Sequence, residues 1–211
     1  MSHALLTVDR GDRKPLFDHC IWQASRFVSS YDAHILITRP PHSDKPDLTE
    51  RVKEGYDEAV KLGVDWVIMM ESDDWYPENY IHRIMSFAGN ADFIGSETTV
   101  YYNLVNRTWE KTTHPNHSSL FTTAFRVSAM KDFKWKSAHK VFLDLDLWRY
   151  ARNKQFRRQF IETPAIGIKA NMGLVGGKGH VMKMKNADPE LSWLKERVDE
   201  NSFEFYSNLK V

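Results

Sequence analysis

The chain has 211 residues, 42% of them hydrophobic and 27% charged, and a formal net charge of +1. That length suits one domain and is short for two, the composition excludes a disordered or repeat-built chain, and the near-zero charge gives no global field toward nucleic acid or an anionic membrane. The single cysteine, Cys20, excludes an intramolecular disulfide and reads as a small core residue in a reducing, cytoplasmic setting, and no stretch approaches the ~20 apolar residues of a membrane span.

In chain order, Ala4 to Val8 is a short apolar run broken by Asp9-Arg10-Gly11-Asp12. Leu16, Cys20, Ile21, Ala24 and Phe27 then recur at helical spacing. His34 to Thr38 is a second strand ended by Arg39-Pro40-Pro41. Asp47 and Glu50 have the spacing of a capping box, and Leu48, Val52, Tyr56, Ala59 and Val60 form one helical stripe that stops at Gly63. Gly55 lies inside this helix, where it costs ~1 kcal/mol relative to alanine. Asp65 to Met70 is a buried strand, and Pro77 to Phe87 a helix stopped at Gly89.

Beyond that point the pattern changes from repeated strand-helix units to a more antiparallel half. Ala91 to Tyr102 reads as strand, Val105 to Glu110 as its hairpin return, Leu120 to Val127 as strand or extended chain, Leu143 to Lys154 as helix, and Ile161 to Lys169 as a late strand. A glycine-rich stretch, Gly173 to His180, follows, and Asp188-Pro189 opens a terminal helix with Leu191, Leu194 and Val198 on one face.

The chemistry concentrates at Glu71-Ser72-Asp73-Asp74, straight after the buried strand and before Trp75-Tyr76-Pro77. Three carboxylates in four residues repel one another, so holding them at a strand end requires a compensating cation, and hard oxygen ligands suit Mg²⁺ or Mn²⁺. The carboxyl ends of strands are also where open α/β sheets bind ligands. Read alone, the cluster is equally compatible with a solvated turn or with a cap on the helix that Pro77 opens. A second acidic pair, Asp144 and Asp146, opens a later helix, where Asp144 is also a natural N-cap.

The order of these features resembles the GT-A-fold glycosyltransferases, in particular the inverting family 2, over roughly residues 4 to 182. The resemblance implies an α/β fold: a single GT-A, Rossmann-like, three-layer αβα domain with a mixed central sheet. Residues 1–102 would form its nucleotide-sugar half, 103–182 its acceptor half, and 188–211 a C-terminal helix. It implies a metal-dependent inverting hexosyltransferase that uses a nucleoside diphosphate sugar, UDP-sugar being the first candidate. Asp73 and Asp74, with His180, would hold the metal, and Glu71 stands where the family carries its first Asp, near ribose or sugar. Asp144 would be the catalytic base and Asp146 its fallback, with Leu143 where the family has Glu. Thr7, Asp9, Arg10 and Arg13 would contact the nucleotide, Asp44 its base, and Lys178 a phosphate oxygen. Trp109 and Trp135 are candidates for acceptor contact. The acceptor stays open among a saccharide, a protein side chain, a small molecule and a modified DNA base. Alternatives are a nucleotidyltransferase and a domain that binds sugar nucleotide or glycan without turnover.

Overall fold

The computed structural model describes residues 1–40, 47–136, 142–170 and 184–210. The elements are β1 (His3–Asp9), α1 (Lys14–Ser25), β2 (Ala33–Thr38), α2 (Leu48–Leu62), β3 (Trp66–Met69), α3 (Tyr80–Met85), β4 (Phe93–Gly95), β5 (Thr98–Asn103), β6 (Thr108–Thr113), β7 (Ala124–Arg126), α4 (Leu143–Asn153), β8 (Arg158–Phe160), β9 (Ile166–Lys169), β10 (Asn186–Ala187), α5 (Ser192–Lys195) and α6 (Glu200–Asn208). Two sheets result. The first has six strands in the order β2-β1-β3-β7-β4-β8; the second has four, β10-β6-β5-β9.

In the larger sheet β1 pairs parallel with β2 and β3, β7 runs antiparallel to both β3 and β4, and β8 is parallel to β4, so the sheet is mixed. Side-chain alternation along these strands divides the core. Ala4, Leu6 and Val8 of β1 and Val67 and Met69 of β3 face Val52 and Ala59 of α2 and Leu143, Leu147 and Trp148 of α4. Leu5, Trp66 and Ile68 point the other way, to Cys20 and Ala24 of α1 and Tyr80, Ile81 and Ile84 of α3. Helices on both faces of one mixed sheet give the expected three-layer αβα arrangement.

Several local readings change in detail. The expected strand over Ala91 to Tyr102 is two strands in different sheets. They part at Gly95, where an added Cβ would lie 2.5 Å from both Ser118 Cβ and Trp148 Cζ2, and Ser96 N donates to Ser118 Oγ. The expected strand over Ile161 to Lys169 is shorter: β8 ends at Phe160, a connection containing Pro164, which has no N–H for a ladder, follows, and β9 begins at Ile166. The expected terminal helix is also two helices. Asp188 accepts from Trp193 N and Leu194 N at the start of α5, while Asp199 accepts from Ser202 N and caps α6.

At the start of α2, Asp47 occupies the N-cap position without making a side-chain cap bond. Its carboxylate holds Arg51 (2.7 Å) and Arg39 (3.3 Å) instead, because the buried Arg51 guanidinium is the stronger donor. Arg51 in turn donates to the carbonyls of Asp9 (2.6 Å) and Arg39 (2.7 Å), pinning the carboxyl ends of β1 and β2 to α2. Gly63, at φ 68°, ends α2 in the left-handed conformation expected of a glycine C-cap.

The second sheet is built on a hairpin. β5 and β6 form the hairpin, from Thr98 opposite Thr113 to Asn103 opposite Thr108, and β9 joins β5 in parallel with Lys169 opposite Asn103. A bridge between Trp75 and Ile166 links this sheet to the chain leaving β3. Trp109 stacks on Trp193 at 4.4 Å and Trp135 packs against Tyr56 and Phe133, so both tryptophans are engaged in packing.

Candidate active site

β3 is buried along its whole length, and its carboxyl end opens directly into the acidic turn. The turn is shaped by buried neighbours. Glu71 N donates to Tyr76 Oη (2.6 Å), Gln23 of α1 donates to Asp74 O (3.0 Å), and Tyr76 N donates to Gln23 Oε1 (2.8 Å). These bonds fix the backbone, leaving the four side chains to point in different directions.

Asp73 is half-buried and forms an ion pair with Arg13 at 2.7 Å, and Arg13 also donates to Ser72 Oγ at 3.2 Å. Burial raises the Asp73 carboxyl, but Arg13 and then Lys169 outweigh it and hold it below the usual carboxylate range. Glu71 has less compensation. Burial first, then Asp73 and Asp144, push its carboxyl up to about 7 against the pull of Lys169 and Arg13. Asp144 therefore lies close enough to Glu71 to repel it, although the two are far apart in the chain.

Asp144 sits in the first turn of α4, where Phe142 holds the N-cap position and Asp144 is the second helical residue. It is not the cap. Burial raises its carboxyl above the ordinary value, opposed by His117 and by backbone N–H groups of the first turn. Asp146, two residues on, is 6% exposed and pairs with Arg149.

Asp74 takes a different course from Glu71 and Asp73. Its side chain is fully buried, Oδ1 accepts from Ile168 N at 2.8 Å and lies 3.8 Å from Lys169 Nζ, and Oδ2 makes no hydrogen bond. Burial and its acidic neighbours push it well above the ordinary value against the pull of Lys169. Asp74 thus fastens β9 to the acidic turn, with its side chain enclosed between them. Lys169 is the cation beside the acidic turn that sequence reading missed. It lies at the end of β9 beside the Tyr101 ring (5.4 Å), and although burial lowers its pKa, Asp74, Asp73 and Glu71 raise it by more. Its only local signal was a charged residue closing an apolar strand.

The first-strand candidates separate in the same way. Asp9 is 2% exposed with Oδ1 accepting from Ser72 Oγ (2.9 Å) and Oδ2 from Gly11 N (2.6 Å), so it braces the turn between β1 and α1 against the acidic turn. Thr7 is fully buried against His34 (3.0 Å) and Cys20, within the sheet layers. Arg10 pairs with Asp12. Asp44, Lys178 and His180 lie outside the described residues. The structure therefore brings together Arg13, Glu71, Asp73, Asp144 and Lys169, with Ser72 and Asp9 behind them.

Among the described residues no three His, Cys, Asp or Glu side chains converge in a metal-ligating group. The chemistry of the set still suits a hard divalent cation. Glu71 and Asp73 have Arg13 and Lys169 as cationic neighbours, and the Glu71 carboxyl is raised by burial first and then by the negative charge of Asp73 and Asp144, so hard oxygen donors with excess negative charge gather there.

No protein-family model matches the chain, and no curated protein sequence does. Among solved structures, a glycosyltransferase involved in the glycosylation of the major capsid of PBCV-1 is similar, with a TM-score of 0.51 at 12% identity over 78% of this chain and 82% of that one. S. aureus TarS (residues 1–349) gives a TM-score of 0.49 at 10% identity, covering 81% of this chain and 61% of TarS, so the present chain spans less than two thirds of that protein fragment. A 4-diphosphocytidyl-2C-methyl-D-erythritol synthase gives 0.46 at 9% identity, over 77% of this chain and 90% of that one. The fold is that of GT-A glycosyltransferases, a Rossmann-like α/β architecture with a mixed central sheet. No helix among the described residues is long and apolar enough to cross a membrane.

Proposed function

We propose that this chain is a glycosyltransferase that moves a sugar from a nucleoside diphosphate sugar to an acceptor hydroxyl with inversion at the anomeric carbon. The observation that carries this reading is the meeting of Glu71 and Asp73, from the end of β3, with Asp144, from α4, at the carboxyl edge of a GT-A-type sheet. In this reading Glu71 and Asp73 serve the donor diphosphate and its counter-ion, and Asp144 serves the acceptor.

Asp144 is the base in this reading. Burial raises its proton affinity, which suits a carboxylate that must take a hydroxyl proton as the C–O bond forms. The acceptor oxygen bonds to the anomeric carbon, the bond from that carbon to the diphosphate breaks, and the nucleoside diphosphate leaves with the electron pair. Asp146 is the weaker candidate, since it is buried and already paired with Arg149. Arg13 orients Asp73 through their ion pair, and Lys169 places a cation at the same edge, where it offsets charge on the turn and on a bound diphosphate.

Asp73 and Glu71 are the carboxylates that would hold Mn²⁺ or Mg²⁺, with His180 as the further ligand that the family resemblance implies. When bound, such an ion neutralises charge on the departing diphosphate. The test is incubation of the protein with labelled UDP-sugars and Mn²⁺, followed by NMR of the anomeric configuration of any product. Slow donor hydrolysis or transfer with inversion supports the reading. Absence of hydrolysis of every donor, together with no metal-dependent thermal shift, removes it.

A further inference from the structure

A cavity of about 430 Å³ lies beside the proposed base, lined by Pro115, Asn116, His117, Leu145, Arg149 and Arg152. That volume falls within the ~300–1,000 Å³ typical of small-molecule sites. One wall is the segment that follows β6. It is held in shape by Glu97, whose Oε1 accepts from Asn116 N (2.6 Å) and whose carbonyl accepts from His114 N (2.6 Å); Asn116 itself takes a left-handed conformation at φ 63°. The other wall is α4, in which Leu145 follows Asp144 directly. His117 acts on the Asp144 carboxyl from across the gap, so the cavity and the base are neighbours.

Among the described residues the lining contains two guanidinium groups and an imidazole and no acidic side chain. Both arginines are anchored. Arg152 donates to Asn116 O at 3.1 Å, and Arg149 pairs with Asp146. A guanidinium has five N–H donors in a fixed fork, so each anchored arginine keeps donors for a second acceptor, and a planar carboxylate or a phosphate matches that fork best. A neutral sugar needs no such pair of cations.

We propose that this cavity is the acceptor subsite and that it takes a saccharide bearing an acidic group, a carboxylate or a phosphate, engaged by Arg149 and Arg152. The proposal rests on the glycosyltransferase reading for the word acceptor. Its binding component stands separately.

The experiment is titration of the full chain with glucuronic acid, glucose 6-phosphate and glucose by saturation-transfer NMR, in parallel with calorimetric titration of UDP and Mn²⁺. At least one acidic sugar should bind five-fold or more tighter than glucose, and Arg152→Gln should weaken that sugar at least five-fold without changing UDP affinity. Lys61→Gln, which removes the same charge from an exposed position on α2, should leave it unchanged. The stronger of the two acidic sugars identifies the acid as carboxylate or phosphate. Equal binding of acidic and neutral sugars, an unaffected Arg152→Gln protein, or equal weakening by Lys61→Gln would each overturn the proposal. If UDP binds and neither acidic sugar does, the subsite fails while the donor reading survives. Binding of an acidic sugar without any UDP binding has the reverse meaning: the basic cavity is a real site, and the glycosyltransferase reading fails.

Discussion

Asp73 and Asp144 differ in what surrounds them, and this difference predicts separable phenotypes. Asp73 is held ionised by Arg13, so Asp73→Asn should release Arg13 and weaken metal-dependent UDP-sugar binding by tenfold or more, as read by calorimetry. Asp144→Asn should leave donor affinity within about two-fold while lowering transfer by on the order of 10²–10⁴, the range for loss of a general base. Full activity in Asp144→Asn together with loss in Asp146→Asn would move the base two residues along α4. Lys169 makes a further prediction at this scale. Lys169→Met strands the fully buried Asp74 carboxylate without its cation and should cost about 3 kcal/mol in denaturant unfolding, whereas Lys169→Met combined with Asp74→Asn should recover part of the loss.

At the scale of single elements, α2 shows how packing reverses a local preference. Helix propensity alone says that Gly55→Ala should stabilise by ~1 kcal/mol. The structure predicts the opposite sign. An added Cβ would lie 2.2 Å from Leu6 Cδ1 on β1, in the layer that positions the carboxyl end of that strand, so the substitution should destabilise by roughly 1–3 kcal/mol in urea unfolding. A stabilised Gly55→Ala protein would show that α2 does not sit this close to the sheet. The same element shows how an apparent capping box is redirected, because Arg51 and Arg39 compete for the Asp47 carboxylate. Asp199 has the reverse history. It caps α6 and also accepts from Trp75 Nε1 (3.0 Å) and Arg26 (2.8 Å), joining the C-terminal helix to the acidic turn's own flank.

For the molecule as a whole, the junction between α1 and the C-terminal helices should make stability depend on pH. His19 stacks on Phe205 at 4.1 Å and lies against Trp22 and Tyr206, with Asp199 and Arg26 as the charged groups acting on it. Burial lowers its pKa to about 4, so the folded state keeps it neutral while the unfolded chain takes up a proton below about 6.5. Between those two values the unfolded state binds more protons, and stability must fall as the pH drops through the window, with the cost complete below about 4. His19→Phe should flatten this part of the stability curve when thermal unfolding is followed from pH 7 to pH 4. An unchanged slope would place the acid sensitivity elsewhere.

The sequence by itself determined the repeated strand-helix units, the acidic strand end after β3, and the placement of Asp144 on a helix far down the chain. Those features follow from hydrophobic period and from local charge, which need no partner to be read. Tertiary structure decided how the carboxylates of that turn divide. Within one turn Asp73 faces Arg13 and Asp74 turns inward to Ile168 N, a division set by side-chain direction along a backbone that Gln23 and Tyr76 hold fixed. Lys169 entered the site only because β9 pairs with β5 beside that turn, and the basic cavity formed only because the segment after β6 comes to rest against α4. Contacts of this kind join residues dozens of positions apart, and no local pattern in the chain encodes them.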